Sequence, residues 1–501
     1  MPDTVVTFGP PGTGKTRTML DVVDREIGAG ILPSRIAFVS FTRRSIEEAS
    51  GRARTRFGLS EDDLPWFRTL HSAAYRAKGL RSDAIMTTSD YARFGEAFGV
   101  SFSAEHSENE IRDQPLETAT VGDTLLSLYA WAAAVRVDAD AAALAHQIRG
   151  GTIGAPIIRK FFLWYAAFKA DCHKIDFADM LDDVPPIDVD VAIIDEAQDC
   201  TPQQWEAVRA MFSGARRWYV AGDDDQAIYR WAGAEPSLLA ALPGSKRVLS
   251  RSMRIPRAIH EIATSVIARC DDRRVPKQWY PRDEAGAVTF CHVASWDPGP
   301  RDSGTWLVLA RTRRSLAAAR VRLEHLGVPY LYDGVSCLAR PGAVAIRSYE
   351  RLRRGESVPW GDFLIMRRHI SVEFGAADDD RPESVAWSDL DWPESVRGRS
   401  MTWLDAVSER IMRVPDRDVS MIRRIRERGE KLSDAPRVSV STIHGAKGAE
   451  SDHVLLMTDT SRSAARSTDQ DDEHRTFYVG VTRARRTLAI VPPTRYPYYS
   501  L

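Results

Sequence analysis

The chain carries the stretch Gly9-Pro10-Pro11-Gly12-Thr13-Gly14-Lys15-Thr16 directly after an apolar, β-like run at residues 5–8. This stretch fits the pattern G-x-x-x-x-G-K-[S/T] of a phosphate-binding loop, in which glycines let successive backbone N–H groups turn toward phosphate oxygens. Lys15 can then reach the β- and γ-phosphates, and the hydroxyl of Thr16 can ligate Mg²⁺. Residues 17–27 are predicted to form a helix whose positive end faces the anion. The order of strand, loop and helix makes a chance glycine-rich turn the weaker interpretation.

The composition limits the classes of protein to which the chain can belong. Its 501 residues predict several domains, and an apolar content of 44% is ample for buried cores. A net charge of −1 means that any contact with nucleic acid must come from local basic patches. No apolar run is long enough for a membrane span, and the N-terminus enters a strand too early for a signal peptide, so we expect no membrane partner. The five scattered cysteines form no C-x-x-C pair and predict reduced thiols in a cytoplasmic protein.

A second apolar strand, predicted to end at residue 194, delivers two carboxylates to its C-terminal end. Asp195 is placed to hold Mg²⁺, directly or through water, and Glu196 is placed to orient or deprotonate an attacking water. Buried paired acids are costly without a cation, so their partners should be the metal and Lys15. The pattern D-E-x-x-D also occurs on exposed helices, but the preceding strand and the upstream loop favour a hydrolytic site.

Residues 219–231 are predicted to form a further strand followed by a loop, and the loop combines acids, an amide and aromatic rings. Gln226 is placed to sense the γ-phosphate of a bound nucleotide. Tyr229 and Trp231 flank Arg230, an alternation that suits stacking on the bases of a single strand. Because both features lie on one short segment, we expect it to couple the nucleotide state to the grip on nucleic acid. Aromatic rings packed into a core are the alternative interpretation.

Other strand ends carry further candidate contacts to nucleic acid. The strand predicted at residues 35–41 ends in Phe41 and is followed by Thr42 and Arg43, which together offer an aromatic face for a base and donors for phosphates. A comparable strand end carries His71. In open α/β sheets ligands lie at such C-terminal strand ends, although a solvated helix start capped by Thr42 explains the first of them equally well.

The rest of the chain shows a second α/β pattern and two inserted segments. Residues 77–175 are predicted to be mostly helical, and a strand at 246–249 is interpreted as the start of a second α/β domain. The composition changes between residues 355 and 435, which indicates an inserted subdomain. Near the end of the chain, Arg483 lies in a predicted helix, the position expected of an arginine finger supplied in cis.

Together and in this order, these motifs resemble the UvrD/Rep/PcrA family of superfamily 1 DNA helicases. The resemblance rests on GPPGTGKT, FVSFTRR, TLHS, DEAQD, GDDDQAIYRW, SMR, VSVSTIHGAKGAE and YVGVTRA, which spread over nearly the whole chain. It implies an α/β protein with two RecA-like P-loop motor domains, each with a parallel sheet and a mostly helical inserted subdomain. The first motor domain would comprise residues 1–76 and 176–245 with its insertion at 77–175, and the second would comprise 246–355 and 436–501 with its insertion at 356–435.

The resemblance also implies site residues, with ATP and Mg²⁺ as cofactors. The nucleotide-binding positions are Gly9, Pro10, Pro11, Gly12, Thr13, Gly14, Lys15, Thr16, Arg17 and Glu450, the last of which matches a ribose contact. The metal positions are Thr16 and Asp195. The catalytic positions are Lys15, Glu196, Gln226, Arg254 and Arg483, with both arginines reaching the γ-phosphate from the second motor domain. The positions along the single-strand track are Phe41, Thr42, Arg43, His71, Tyr229, Trp231, Thr442 and His444.

The function implied by the resemblance is an ATP-dependent helicase or translocase that moves 3′ to 5′ on single-stranded DNA and unwinds duplexes. Its expected partners are single-stranded and tailed duplex DNA, and we expect a monomer. One alternative is a translocase that displaces proteins with little unwinding, because the insertions are short. Another is a DNA-binding scaffold switched by nucleotide. A turnover role for Glu196 and the two arginines argues against the scaffold.

Two departures from the family concern the end of the site that would bind the base. The family has a glutamine-containing adenine motif before the first strand, and residues 1–3 do not contain one. Met253 stands where the family has a tyrosine that stacks on adenine, and a methionine makes a softer, less directional contact. We therefore hypothesise relaxed base selectivity, with GTP and other nucleoside triphosphates supporting turnover.

Overall fold

The apolar run ahead of the glycine-rich loop forms strand β1 (Asp3–Phe8) in a computed structural model of the chain. The structure describes residues 2–40, 43–103, 120–272, 275–371, 383–390, 392, 396, 401–433, 435–466, 470–493 and 497–501. The chain divides into two compact units. Unit 1 comprises Met1–Gly286 and Ser467–Thr482 together with Leu501, and unit 2 comprises Ala287–Arg466 and Arg483–Ser500.

Unit 1 is built on a parallel sheet. Among the described residues its strands are β1, β2 (Ile36–Ser40), β3 (Phe67–Thr69), β4 (Val191–Ile194), β5 (Arg217–Gly222) and β6 (Ser245–Val248). They are arranged in the order β3-β2-β4-β5-β1-β6, and every neighbouring pair is parallel. Every residue of β2 and β4 is buried, as expected for strands covered on both faces. Because the carboxyl ends of parallel strands share one edge, the segments that follow β1, β4 and β5 are neighbours there.

Helices flank this sheet and also form the insertion of unit 1. They are α1 (Lys15–Gly28), α2 (Arg43–Phe57), α3 (Leu70–Ala77), α4 (Thr88–Phe98), α5 (Val121–Val135), α6 (Ala139–Ile148), α7 (Ala155–Asp171), α8 (Phe177–Met180), α9 (Pro202–Met211), α10 (Pro236–Ala240) and α11 (Arg257–Ile267). The helix predicted after the glycine-rich loop is confirmed as α1. Helices α4, α5 and α7 bury a core of their own, which includes Phe94, Phe161 and Tyr165. The described part of the insertion is therefore helical and separately packed.

Unit 2 contains a second, larger sheet. Its strands among the described residues are β7 (Ala287–Phe290), β8 (Trp306–Ala310), β9 (Tyr330–Tyr332), β10 (Val335–Ser336), β11 (Val358–Pro359), β12 (Ser384–Val385), β13 (Val438–Thr442), β14 (Ser451–Met457) and β15 (Ala484–Val491). The main sheet has the order β10-β9-β13-β8-β14-β15-β7, in which only the β9–β10 pair is antiparallel. Strands β11 and β12 form a separate antiparallel pair. The prediction of an α/β fold with two parallel sheets is thus confirmed.

The helices of unit 2 pack on this sheet and continue into its inserted segment. They are α12 (Leu316–Leu326), α13 (Pro341–Arg353), α14 (Trp360–Arg367), α15 (Trp403–Ser408), α16 (Asp416–Glu427) and α17 (Arg462–Arg466). Trp387, Trp392 and Trp403 of the insertion belong to the same buried cluster as Val308 and Val440 of the sheet. In contrast to the insertion of unit 1, the described part of residues 356–435 shares one core with its sheet. Across the described parts of both units, none of the helices has the length and apolarity needed to cross a membrane.

The units divide at a different place from the one that the sequence predicts. Strand β6 pairs in parallel with β1, from Val5 opposite Ser245 to Phe8 opposite Val248, so it completes the sheet of unit 1. The division lies after Gly286, about forty residues beyond the predicted start of a second domain. Helix α18 (Asp471–Val481) also belongs to unit 1. The β6 side chains are exposed and give no apolar pattern that would assign the strand to either sheet.

Candidate nucleotide site and nucleic-acid contacts

The glycine-rich loop joins β1 to α1 at the carboxyl edge of the sheet of unit 1. Gly12 and Gly14 have φ angles of 73° and 84°, in the left-handed region that favours glycine. The Lys15 side chain folds back over the loop, and its ammonium donates to the carbonyl of Gly9 at 2.6 Å. A side chain at Gly9 would occupy the space that Lys15 fills. The loop is therefore a tight cradle that opens onto a helix N-terminus, which is the form of an anion-binding site.

The predicted metal ligands Thr16 and Asp195 meet at this edge. Thr16 lies in the first turn of α1, beside the exposed Arg17, and its Oγ1 donates to Oδ2 of Asp195 at 3.0 Å. Burial raises the pKa of Asp195 to about 7, and the carboxylate of Glu196 adds to this, whereas Lys15 and Thr16 oppose it. A hydroxyl and a carboxylate at this distance are the hard oxygen ligands that Mg²⁺ prefers, and a divalent cation would stabilise the charged carboxylate that burial disfavours. The residues present therefore fit Mg²⁺.

Glu196 is held in position by an amide that the sequence reasoning did not assign. Its φ of 56° lies in the left-handed region, a strained conformation for a residue with a side chain and one that functional sites often hold. Nε2 of Gln198 donates to Oε2 of Glu196 at 2.5 Å, and Oε1 of Gln198 accepts from the N–H of Asp223 at 2.9 Å. Gln198 thus joins the ends of β4 and β5. Its position two residues after Glu196, within the DEAQD motif, was the signal available in the sequence.

Gln226 lies at the same edge, in a short turn that follows β5. Its side chain is buried, and its Nε2 donates to Oδ2 of Asp223 at 2.6 Å. The other carboxylate oxygen of Asp223 accepts from the ammonium of Lys277 at 2.7 Å. The structure thus brings Lys15, Asp195, Glu196 and Gln226 to one edge of one sheet, and it adds Lys277, which no sequence motif marked.

Residues 252–254 lie against the glycine-rich loop. Oγ of Ser252 donates to the carbonyl of Pro11 at 2.8 Å, and the N–H of Met253 donates to the carbonyl of Gly12 at 2.8 Å. A side chain at Gly12 would collide with Arg254. The prediction that Arg254 comes from the second domain is corrected here, because Arg254 belongs to unit 1. The pairing of β6 with β1 is what brings this segment to the loop.

Four predicted site residues lie in unit 2. Arg483 is buried, and its Nη1 donates to the carbonyl of Ala449 at 3.3 Å. Glu450 forms an ion pair with Arg485, a partner that the motifs did not indicate. The hydroxyl of Thr442, at the end of β13, accepts from the N–H of Gly445 at 3.0 Å, and the nearby His444 is buried.

The remaining residues predicted for the nucleic-acid track belong to unit 1. The His71 ring lies 5.4 Å from the Phe177 ring between centroids, tilted by 40°. Tyr229 is half-buried, and Trp231 is 38% exposed, so it is partly accessible to solvent. Phe41 and Thr42 lie outside the described residues, and Arg43 is the first residue of α2.

The chain is similar to known DNA helicases. Residues 3–139 and 186–245 match the UvrD/REP helicase N-terminal domain, and residues 418–492 match the UvrD-like helicase C-terminal domain. The ATP-dependent DNA helicase Rep of Salmonella typhimurium is 27% identical over 46% of this chain and 35% of Rep. The ATP-dependent DNA helicase UvrD2 of Mycobacterium tuberculosis is 25% identical over 96% of this chain and 75% of UvrD2. The solved PRRSV helicase gives a TM-score of 0.35 at 10% identity, over 98% of this chain and 53% of that one.

The phosphate-binding loop, the buried acid pair and the two parallel sheets define an α/β protein of the RecA-like P-loop class. The two matching family domains together span more than half of the chain, and they identify the family within this class. The chain belongs to the UvrD/Rep-like family of superfamily 1 helicases. It matches about a third of the length of Rep and three quarters of the length of UvrD2.

Proposed function

We propose that this chain is an ATP-dependent DNA helicase that moves 3′ to 5′ along single-stranded DNA and unwinds duplex DNA. One observation carries the proposal. The Thr16 hydroxyl of the P-loop helix and the buried Asp195, which precedes Glu196, meet at 3.0 Å in unit 1. An acid pair that follows a buried strand and faces a P-loop lysine supports hydrolysis rather than nucleotide binding alone.

The proposed roles follow from the contacts of each side chain. Lys15 and the loop N–H groups bind the phosphates, while Thr16 and Asp195 hold Mg²⁺, which when bound draws negative charge from the β- and γ-phosphates. Glu196 orients the attacking water and accepts its proton, with its carboxylate held by Gln198.

The remaining site residues are proposed to complete hydrolysis and nucleotide recognition. Gln226 senses the γ-phosphate, and Glu450 contacts the ribose. Arg254 and Arg483 neutralise the charge that develops during transfer, the role that arginines play in related phosphoryl-transfer enzymes.

The proposed DNA contacts combine aromatic faces with hydrogen-bond donors. Trp231 and Tyr229 stack on bases, and His71, Thr442, His444, Phe41, Thr42 and Arg43 provide further contacts to the strand. Single-stranded and tailed duplex DNA are the proposed partners, and a monomer is the proposed working form. We place the protein in the cytoplasm because all five cysteines are free thiols.

Strand displacement on tailed duplexes tests the proposal. The full chain is given ATP and Mg²⁺ with duplexes that carry a 3′ tail, a 5′ tail or no tail. Separation of the 3′-tailed duplex alone supports the proposal. ATP-driven removal of streptavidin from biotinylated single strands, without strand separation, supports instead a translocase that displaces proteins. DNA binding that responds to nucleotide without hydrolysis supports a nucleotide-switched scaffold.

A further inference from the structure

Lys277 is a buried cation in the segment between α11 and β7 that none of the sequence motifs includes. Its side chain is 0% exposed, and its ammonium lies 2.7 Å from Oδ1 of Asp223 and 3.1 Å from Oδ2 of Asp225. It also forms an ion pair with Asp224. The backbone N–H of Val275 donates to Oδ2 of Asp224 at 3.3 Å, so the segment is fixed to the end of β5 by its backbone as well.

The carboxylates around Lys277 explain why its buried side chain stays protonated. Asp223, Asp224 and Asp225 are each almost completely buried, and buried carboxylates are costly unless a cation and hydrogen bonds compensate them. Burial opposes ionisation of Asp223, but Lys277 and Lys15 outweigh it and hold the pKa of that carboxyl below its ordinary value. In turn, the three aspartate carboxylates raise the pKa of Lys277 despite its burial. Lys277 is therefore a positively charged residue that compensates the buried carboxylates of the three aspartates.

Asp223 connects Lys277 to two residues proposed for hydrolysis. Its Oδ2 accepts from Nε2 of Gln226 at 2.6 Å, while its Oδ1 accepts from Lys277. Its N–H donates to Gln198, whose amide donates at 2.5 Å to the carboxylate of Glu196. One continuous set of hydrogen bonds thus runs from Lys277 to both the proposed γ-phosphate sensor and the proposed base.

We propose that Lys277 is a positioning residue for ATP hydrolysis, which fixes Asp223 and through it orients Gln226 and the Gln198 amide that holds Glu196. The proposal rests on the proposed function, because it assigns Lys277 to the hydrolytic step of that function. Lys277 donates to none of the P-loop residues, so its loss should lower kcat while the affinity for nucleotide stays nearly unchanged.

The test compares Lys277→Met with wild type in DNA-stimulated ATP hydrolysis by the full chain. Methionine keeps the length and removes the ammonium. We expect kcat to fall by a factor on the order of 10 to 100 for displaced catalytic groups, with KM for ATP and the affinity for single-stranded DNA within about twofold. The exposed Lys246→Met is the matched control and should leave all three unchanged.

Two further variants separate positioning from a purely structural role. In a Gln226→Ala background, Lys277→Met should lower kcat by a smaller factor than it does in wild type, because residues that act as a unit are not additive and only the connection through Gln198 remains. In the Lys277→Met/Asp224→Asn variant the net charge of the cluster returns to its original value, which restores folding if Lys277→Met alone is unstable. We expect thermal stability to recover there while kcat stays low, because the ammonium that fixes Asp223 is still missing.

A normal kcat in folded Lys277→Met, a fully additive effect with Gln226→Ala, or recovery of kcat together with stability would each overturn the positioning role. The failure of the wider function looks different. Wild-type chain that does not hydrolyse ATP overturns the proposed function, and the role of Lys277 with it. If the wild type hydrolyses ATP and Lys277→Met does so with the same kcat, only the role of Lys277 is overturned.

Discussion

Glu196 combines a strained backbone with a carboxylate that a neighbouring amide holds. With φ at 56° and its Oε2 accepting from Gln198 at 2.5 Å, the side chain is oriented before any substrate arrives. Such preorganisation is what a general base needs, because positioning and proton acceptance act together in the transition state.

Substituting Glu196→Gln should therefore stop turnover while leaving nucleotide binding intact. A general base is worth about 10²–10⁴ in rate, and the amide cannot accept the proton. The phosphate cradle does not include this side chain, so the affinity for nucleotide should change by less than about threefold. Steady-state hydrolysis and a binding titration measure the two effects. Glu206→Gln, at an exposed acid, is the matched control. Near-normal hydrolysis in Glu196→Gln would remove it from the base role.

Met253 is the residue that bears on base selectivity. It is 56% exposed, and its terminal methyl lies 2.9 Å from where a side chain at Gly14 would begin, so it covers the loop without a directional stack. We predict that Met253→Tyr raises the preference for ATP over GTP, because an aromatic pair adds about 0.5–1.5 kcal/mol of oriented contact.

The measurement is kcat/KM for ATP and for GTP in wild type, Met253→Tyr and the control Met253→Leu. The leucine variant should behave as wild type does. A wild-type chain that uses ATP but no other nucleoside triphosphate would contradict relaxed selectivity at this position.

At the scale of elements, the segment after β5 joins two functions over a few residues. Its first part carries Asp223 and Gln226 at the strand edge, and its last part presents Trp231 to solvent. Arg230, between the two aromatic residues, pairs with Asp472 of α18 at 3.0 Å. The segment is thus anchored at both ends.

We predict that Trp231→Ala weakens single-stranded DNA binding by about 1–3 kcal/mol, the range of one base stacked on an aromatic ring. Fluorescence anisotropy with a labelled oligonucleotide measures it, at fixed salt. Trp164→Ala is the control, because Trp164 has a similar exposure of 43% but lies on α7 of the insertion. An equal loss in both variants, or none in Trp231→Ala, would refute stacking by this segment.

Helix α12 is tied to three neighbouring segments of unit 2 through Glu324. Tyr330 donates to Oε1 at 2.7 Å, and Arg417 of α16 donates to both carboxylate oxygens at 2.8 and 3.0 Å. Arg340, before α13, completes the cluster. Burial alone would raise the pKa of Glu324, but these hydrogen bonds lower it to about 2.

Because the folded pKa lies below the unfolded value, Glu324 stabilises the fold above its unfolded pKa and loses this effect as the pH falls toward 2. We predict that Glu324→Gln lowers the free energy of unfolding at pH 7 by about 1–2 kcal/mol, allowing for solvent screening, and that the difference shrinks below about pH 4 and disappears as the pH falls through about 2. Urea unfolding of both proteins across this range measures it. Glu356→Gln, in an exposed pair with Arg351, should change little at any pH. A pH-independent difference would contradict the ionic origin.

Elements defined by neighbouring residues were predictable from the sequence, and those defined by distant pairing were not. Strand β1, the loop and α1 follow each other directly, so local pattern alone identifies them. The sheet to which strand β6 belongs is decided only by its pairing with β1, about 240 residues earlier. Its exposed side chains carry no apolar signal that would indicate this sheet. Lys277 was missed for the same reason, because its partner Asp223 is 54 residues away.

At the scale of the whole molecule, the chain crosses between its units after Gly286, after Arg466, after Thr482 and after Ser500. Helix α18 therefore lies in unit 1, and Arg483, two residues after the end of the helix, lies in unit 2. Unit 1 by itself contains the P-loop, the acid pair, Gln226 and Arg254. The family matches cover sequence from both units.

The most direct measurement is steady-state ATP hydrolysis by the full chain with Mg²⁺, with and without single-stranded DNA. Lys15→Ala serves as the control for a contaminating activity, because it removes the ammonium that is proposed to bind the phosphates. A DNA-dependent ATPase should hydrolyse ATP markedly faster when DNA is added, and Lys15→Ala should hydrolyse none in either condition. A rate that DNA leaves unchanged, or hydrolysis that persists in Lys15→Ala, would contradict the assignment of this chain as an ATP-driven motor that acts on DNA.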